Sequence, residues 1–173
     1  MRRKLERRRR GVLGVARDLI AVACLLAAAG TALAQEPGST PPKDTIFARK
    51  ILMDTIGRTM DEIETAMAES GKIDLGELRE HADLISVMLM TFPHLFPGST
   101  NQWTPDNPDR DAALDTYAAP EVWANFAEFY QRVAAASKLA FEASRAKRAD
   151  FRGLIIQLRD ACTGCHAAYL KTD

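Results

Sequence analysis

Cys162-Thr163-Gly164-Cys165-His166 gathers two thiols and an imidazole into five residues. On a helix, cysteines at i and i+3 and a histidine at i+4 lie on one face. That spacing lets both thiols bond to the vinyl groups of a haem while the imidazole ligates its iron. C-x-x-C-H is the attachment signal of c-type haem. Three other chemistries use parts of the pattern. A redox-active dithiol uses C-x-x-C but expects a βαβ setting. A structural zinc site needs four ligands, and only His81 and His94 remain to complete one with the cysteines. A plain disulfide leaves the adjacent histidine unexplained. The motif as a whole favours covalent haem, with His166 as the ligand on one side of the iron.

The elements that must position this motif read as helices. Residues 35–42 (QEPGSTPP) form a Pro/Gly/Ser tether. From Lys43 a stripe of Ile46, Arg49/Lys50, Met53, Ile56/Gly57, Met60, Ile63 and Met67 recurs at steps of three and four, predicting a helix that ends near Gly71. Asp74 with Glu77 three residues on reads as a capping pair for a second helix, with the stripe Leu75, Leu78, Ala82, Ile85 and Leu89. Residues 92–109 (FPHLFPGSTNQWTPDNPD) predict a long connection. A third helix is expected from Pro120-Glu121, with Val122/Trp123, Phe126, Phe129/Tyr130, Val133, Ala136/Ser137 and Ala140/Phe141 on its stripe. A fourth, capped by Asp150, carries Phe151, Leu154/Ile155, Leu158, Ala161/Cys162, Cys165 and Tyr169. No run alternates with period two for long. The expected fold is all-α, an antiparallel four-helix bundle over residues 43–173, with the haem near the C-terminal end of the fourth helix.

Ahead of the tether, MRRKLERRRR is a basic stretch and Leu19–Gly30 an apolar one, followed by Ala32-Leu33-Ala34. This is the pattern of a secretory signal peptide over residues 1–34, cleaved before Gln35. The ~12 apolar residues fall short of the about 20 that span a bilayer, so an uncleaved anchor is the weaker reading. Cys24 lies inside the apolar stretch without a lipobox before it. The whole chain has 23 basic and 23 acidic side chains. The leader holds eight of the former and two of the latter, leaving 15 and 21 in residues 35–173, a net of −6. Nothing here favours nucleic acid, because the basic block belongs to the leader. The mature chain is expected in the periplasm of a Gram-negative bacterium, with no membrane span.

The chain resembles the class II c-type cytochromes, cytochrome c prime and its low-spin, methionine-ligated relatives. The likeness rests on the C-terminal Cys162–His166 motif within a helical bundle and on Ala48-Arg49-Lys50 followed by Met53. It also rests on Phe96-Pro97-Gly98-Ser99 and on Pro120-Glu121-Val122-Trp123. It covers nearly all of residues 43–173. The resemblance implies one haem c, homodimers through the first two helices in many members, and redox partner proteins of unknown identity.

What faces His166 across the haem decides the function. In an up-and-down bundle the end of the fourth helix meets the start of the first. His166 lies seven residues before the chain end, ~10 Å of helix, and Met53 lies roughly 15 Å into the first helix, at a comparable level. Met60 would be another ~10 Å deeper. Met53 is thus the methionine best placed as the distal iron ligand, although methionine on a helix stripe is commonly core filler. The resemblance adds that the residue four after the first-helix arginine faces the distal side. It is often apolar in five-coordinate, gas-binding members and a methionine ligand in low-spin electron carriers.

Arg49 and Lys50, one turn towards the bundle mouth, are candidates for contact with the haem propionates; the alternative for Arg49 is a solvated helix-end cation. Trp123 matches a tryptophan of the family and is a candidate for haem-edge packing, against ordinary core packing. Tyr169 is assigned to core or haem edge, and His81 and His94 to the surface. Arg145, Lys147, Arg148, Arg152 and Arg159 form a basic side that would suit an acidic partner or simply face solvent. The expected function is single-electron transport by a His/Met-ligated haem, without catalysis. The first alternative is a five-coordinate cytochrome that binds small gases such as nitric oxide. The second is a haem-free helical interaction protein with a zinc or disulfide site.

Overall fold

The structure is a computed structural model and describes residues 40–68, 74–101 and 116–171. The expected signal peptide, the tether up to Ser39 and the helix end near Gly71 lie outside the described residues. Among the described residues the fold is all-helical: α1 (Pro42–Ala68), α2 (Leu75–Thr91), α3 (Glu121–Ala124), α4 (Phe126–Arg145) and α5 (Arg148–Tyr169). Two short 3-10 turns, Phe92–Leu95 and Gly98–Thr100, follow α2. The four long helices form the expected bundle. No helix among the described residues is long and apolar enough to cross a membrane.

The local signals explain most of the boundaries. Pro42 opens α1, where a missing N–H costs nothing, and Asp44 sits in its first turn. The Asp74 carboxylate accepts from the backbone N–H groups of Gly76 and Glu77, capping α2 as its sequence predicts. At α5 the reading needs correction: Lys147, not Asp150, is the cap residue. Ala146 and Lys147 are both extended, which makes a two-residue connection from α4. Asp150 is thereby moved into the first helical turn, where its charge suits the helix dipole.

The third predicted helix is also corrected. It breaks at Asn125, whose backbone leaves the helical region, so α3 is a single turn. In α4 the buried row runs Phe129, Val133, Ala136, Ala140 and Ala143. That row already fills the space against its neighbours, so Phe126, Tyr130 and Phe141 flank it and stay exposed.

The core is made by Ile56, Met60 and Ile63 of α1, Leu78, Ala82, Ile85 and Leu89 of α2, the α4 row, and Phe151, Ile155 and Leu158 of α5. Helices pack closely in the order α1–α2, α2–α4 and α4–α5. The closest pair is α2–α4, where alanines and serines face each other and the Ser137 hydroxyl donates to the Ser86 carbonyl at 2.9 Å. The fourth side of the bundle differs. α1 and α5 make almost no close backbone approach. They are joined instead by long side chains, which matters for the site.

Candidate functional site

A cavity of about 360 Å³ opens where α1 faces α5. Ile46, Arg49, Lys50 and Met53 line it from α1, and Cys162, Cys165, His166 and Tyr169 from α5. Leu89, Phe92, Phe96, Val122, Phe129 and Val133 close the back with apolar surface. The three chemically informative residues of α5 therefore share one cavity with Met53. Both cysteines are free thiols, and burial pushes each thiol pKa up. Burial, and then the nearby Arg159 cation, pushes the His166 imidazole down, which favours its neutral form. Just beyond His166 the chain is tied to the segment before α3. Ala119 N–H donates to the Tyr169 carbonyl and Lys171 N–H to the Tyr117 carbonyl, both at 2.8 Å. These bonds fix the end of α5.

Below the cavity two arginines of α5 cross the gap to α1. Arg152 donates to the Met67 carbonyl. Arg159 makes a two-pronged contact with Glu64, 2.7 Å for each prong, and reaches Asp61 at 2.9 Å. Arg152, Arg159 and His166 are spaced by sevens, so they fall on one stripe of α5. Their partners run backwards along α1, as an antiparallel pair requires. Carried one heptad further, the same register puts His166 level with residues 53–57, while Met60 is level with Arg159.

Two expectations change on inspection. Arg49 is not a solvated helix-end cation: only 4% of it is exposed. Its guanidinium donates to the Thr100 hydroxyl at 3.0 Å, the Thr116 hydroxyl at 3.1 Å and the Leu95 carbonyl at 3.3 Å, and lies 4.3 Å from the Phe96 ring centre. Burial lowers its pKa to about 10, leaving it charged at neutral pH. Arg49 thus ties α1 to the 95–100 turn and to Thr116, while still lining the cavity. Trp123 is absent from the cavity lining. Its indole N–H donates to the Phe96 and Pro97 carbonyls at 3.1 and 3.2 Å, so it holds the same turn from the other side. Lys50 lines the cavity, its ammonium 5.6 Å from the Tyr117 ring centre.

Sequence reading missed the aromatic wall. Phe92, Phe96, Phe129 and Tyr169 stack in edge-on and tilted contacts, with ring centres 4.9–6.3 Å apart. The repeated Phe-Pro at 92–93 and 96–97 carried the signal, since phenylalanines four apart meet in a helical turn. Arg132, also lining the cavity and paired with Glu128 at 2.7 Å, had no comparable signal. His81 and His94 do not line the cavity. No group of three or more His, Cys, Asp or Glu among the described residues is placed to hold a metal, which removes support from the zinc alternative. Three members of the basic run are bonded to other parts of the chain: Arg152 and Arg159 as above, and Arg145 in an exposed pair with Asp83 at 3.3 Å.

A family model described as cytochrome c' matches residues 44–170. The chain belongs to the cytochrome c' family. Solved structures agree on the fold. The cytochrome c' of Thermochromatium tepidum is 16% identical, with a TM-score of 0.67 over 78% of this chain and 100% of that one. A nitric oxide complex of a mutant cytochrome c prime from Alcaligenes xylosoxidans is 17% identical, with a TM-score of 0.64 over the same shares. A cytochrome c' with a ligand-controlled dimer dissociation is 16% identical, with a TM-score of 0.65, again over 78% and 100%. No curated protein sequence matches the chain. A cytochrome c' carries one covalently bound haem c. The residues present fit that group: two free thiols and a neutral imidazole face an apolar, aromatic-walled cavity at the one side of the bundle that packing leaves open.

Proposed function

We propose that Cys162 and Cys165 hold the haem through thioether bonds, that His166 ligates its iron, and that Met53 is the ligand on the other side. A haem so ligated exchanges single electrons at a raised potential and has no open position for a further ligand. On this reading the chain is a monohaem electron carrier. The observation that carries it is Met53 itself, a thioether lining the same cavity as His166 and, by the arginine register, level with it. Met60 and Met67 are buried among core residues and serve as filler. Lys50 and Arg132, both at the cavity, supply positive charge for the haem carboxylates.

The second reading, a five-coordinate haem that binds a small gas such as nitric oxide, is better backed by likeness alone. The matching family is named for cytochrome c', and one structure of the same fold is a nitric oxide complex. The two readings make opposite demands on Met53. The absorption spectrum of the holoprotein separates them: it is expected to be low-spin, and Met53→Leu is expected to convert it to high-spin. A wild-type high-spin spectrum that Met53→Leu leaves unchanged establishes the gas-binding reading instead. A colourless protein from a haem-maturing host removes both.

Export to the periplasm belongs to the same proposal, since the basic and apolar leader precedes a haem attached outside the inner membrane. Pairing of two copies through α1 and α2 is supported by the exposed Phe47 and Ile51 of α1 and Leu84, Val87 and Met90 of α2.

A further inference from the structure

The side of the bundle that holds the cavity lacks what sets the register elsewhere. At α2–α4, small buried side chains interdigitate, and a slide of one helix would have to lift them over one another. Between α1 and α5 the backbones make almost no close approach. Yet the proposed His166 and Met53 sit on these two helices, and two bonds to one iron tolerate little relative slide. A slip of one residue moves a helix by about 1.5 Å. Packing sets how far α5 stands along α1 only indirectly, through α4 and α2. The bonds at Tyr169 and Lys171 hold only the end of α5, so a direct tie between the two helices would tighten their register.

We propose that Arg159 is a positioning residue for the haem ligands: its two-pronged bond to Glu64, with the reach to Asp61, sets the register of α5 against α1 and so keeps His166 level with Met53. This inference rests on the Met53 reading above. Three observations support it. The contact is bidentate, which fixes direction as well as distance. Arg159 stands one heptad, about two helical turns, before His166 on the same stripe, so a rigid helix transmits its position directly. Arg152, a further heptad back, repeats the crossing at the Met67 carbonyl and makes the tie a ladder rather than a pivot. Neither arginine lines the cavity, although the Arg159 charge is felt at His166, so Arg159→Lys, which keeps that charge, separates position from charge.

The test compares holoprotein variants by ferric absorption spectrum and by thermal unfolding. With Arg159→Ala the ratio of high-spin to low-spin haem is expected to rise about threefold, the scale of a partly exposed ion pair, with the helical content retained. Arg159→Lys, which keeps the charge but loses the fork, is expected to restore only part of the wild-type ratio. The exchanged pair Arg159→Glu with Glu64→Arg is expected to restore more than either single change. A merely structural role would lower the melting temperature and leave the spin ratio alone. If Met53→Leu changes the spectrum while Arg159→Ala leaves the ratio at the wild-type value, the positioning role is overturned and the Met53 reading stands. If Met53→Leu changes nothing, the Met53 reading is overturned and the positioning role falls with it.

Discussion

The α2–α4 interface and the α1–α5 gap are built from the same kind of helix but solve opposite problems. At α2–α4, Ala82, Ile85 and Ser86 meet Val133, Ala136, Ser137 and Ala140, and small side chains let the backbones approach closely. The buried bond there, from the Ser137 hydroxyl to the Ser86 carbonyl, satisfies groups that would otherwise cost about 1–3 kcal/mol. At α1–α5 the facing residues are cysteines, a histidine, a methionine and long arginines, and the helices stand apart. One side of the bundle is closed by volume and the other is held by reach. The cavity follows from that division: a cofactor-sized gap survives because three tight interfaces carry the fold without the fourth.

The division can be broken at either side. The largest effect is expected at the open one. Replacing both Cys162 and Cys165 with alanine should abolish covalent haem, read as loss of haem from the polypeptide on denaturing electrophoresis. Far-UV circular dichroism should still report the helices, because the close interfaces do not involve these residues. Haem that survives denaturation in that variant would refute the attachment sites. The next effect belongs to the closed side. Ala140 is completely buried in the α4 row, so Ala140→Leu should overpack the interface and cost about 1–3 kcal/mol in denaturant unfolding. A cost near zero would show that the α2–α4 interface has spare volume.

The closed side was the more legible in the sequence. Period-3.6 stripes predicted most of the buried face of α1 and α2, because a helix face either meets a neighbour or meets water. Stripes say nothing of flanks, so Phe126, Tyr130 and Phe141 were placed inside when the row through Phe129 had already filled the space. The break at Asn125 was invisible for a similar reason: Val122 and Phe129 remain at helical spacing on both sides of it. At the open side, Cys162, Cys165 and His166 were legible through local spacing alone, and Met53 through counting along antiparallel helices. Arg49 and Trp123 were not. Each acts through a turn around Phe96 that is distant in sequence, so only the folded chain brings their partners together.

Trp123 gives the smallest and most discriminating test, because the sequence leaves it between the haem edge and ordinary core packing and the structure puts it on the turn that walls the cavity. Its indole N–H is shared between the Phe96 and Pro97 carbonyls, and its ring lies 5.8 Å from that of Phe96, which also stacks on Arg49. Trp123→Phe keeps an aromatic ring and removes the donor. Losing one such hydrogen bond should cost about 1 kcal/mol of stability. The haem spectrum should be unchanged, since Trp123 does not line the cavity and Arg49 still holds the turn from within. A shift of the haem bands in this variant, with stability intact, would return Trp123 to the haem edge. The opposite pattern, lower stability and an unaltered spectrum, would mean that the wall of the open side is braced from outside by a long side chain's hydrogen bond, so that reach rather than volume holds this side here too.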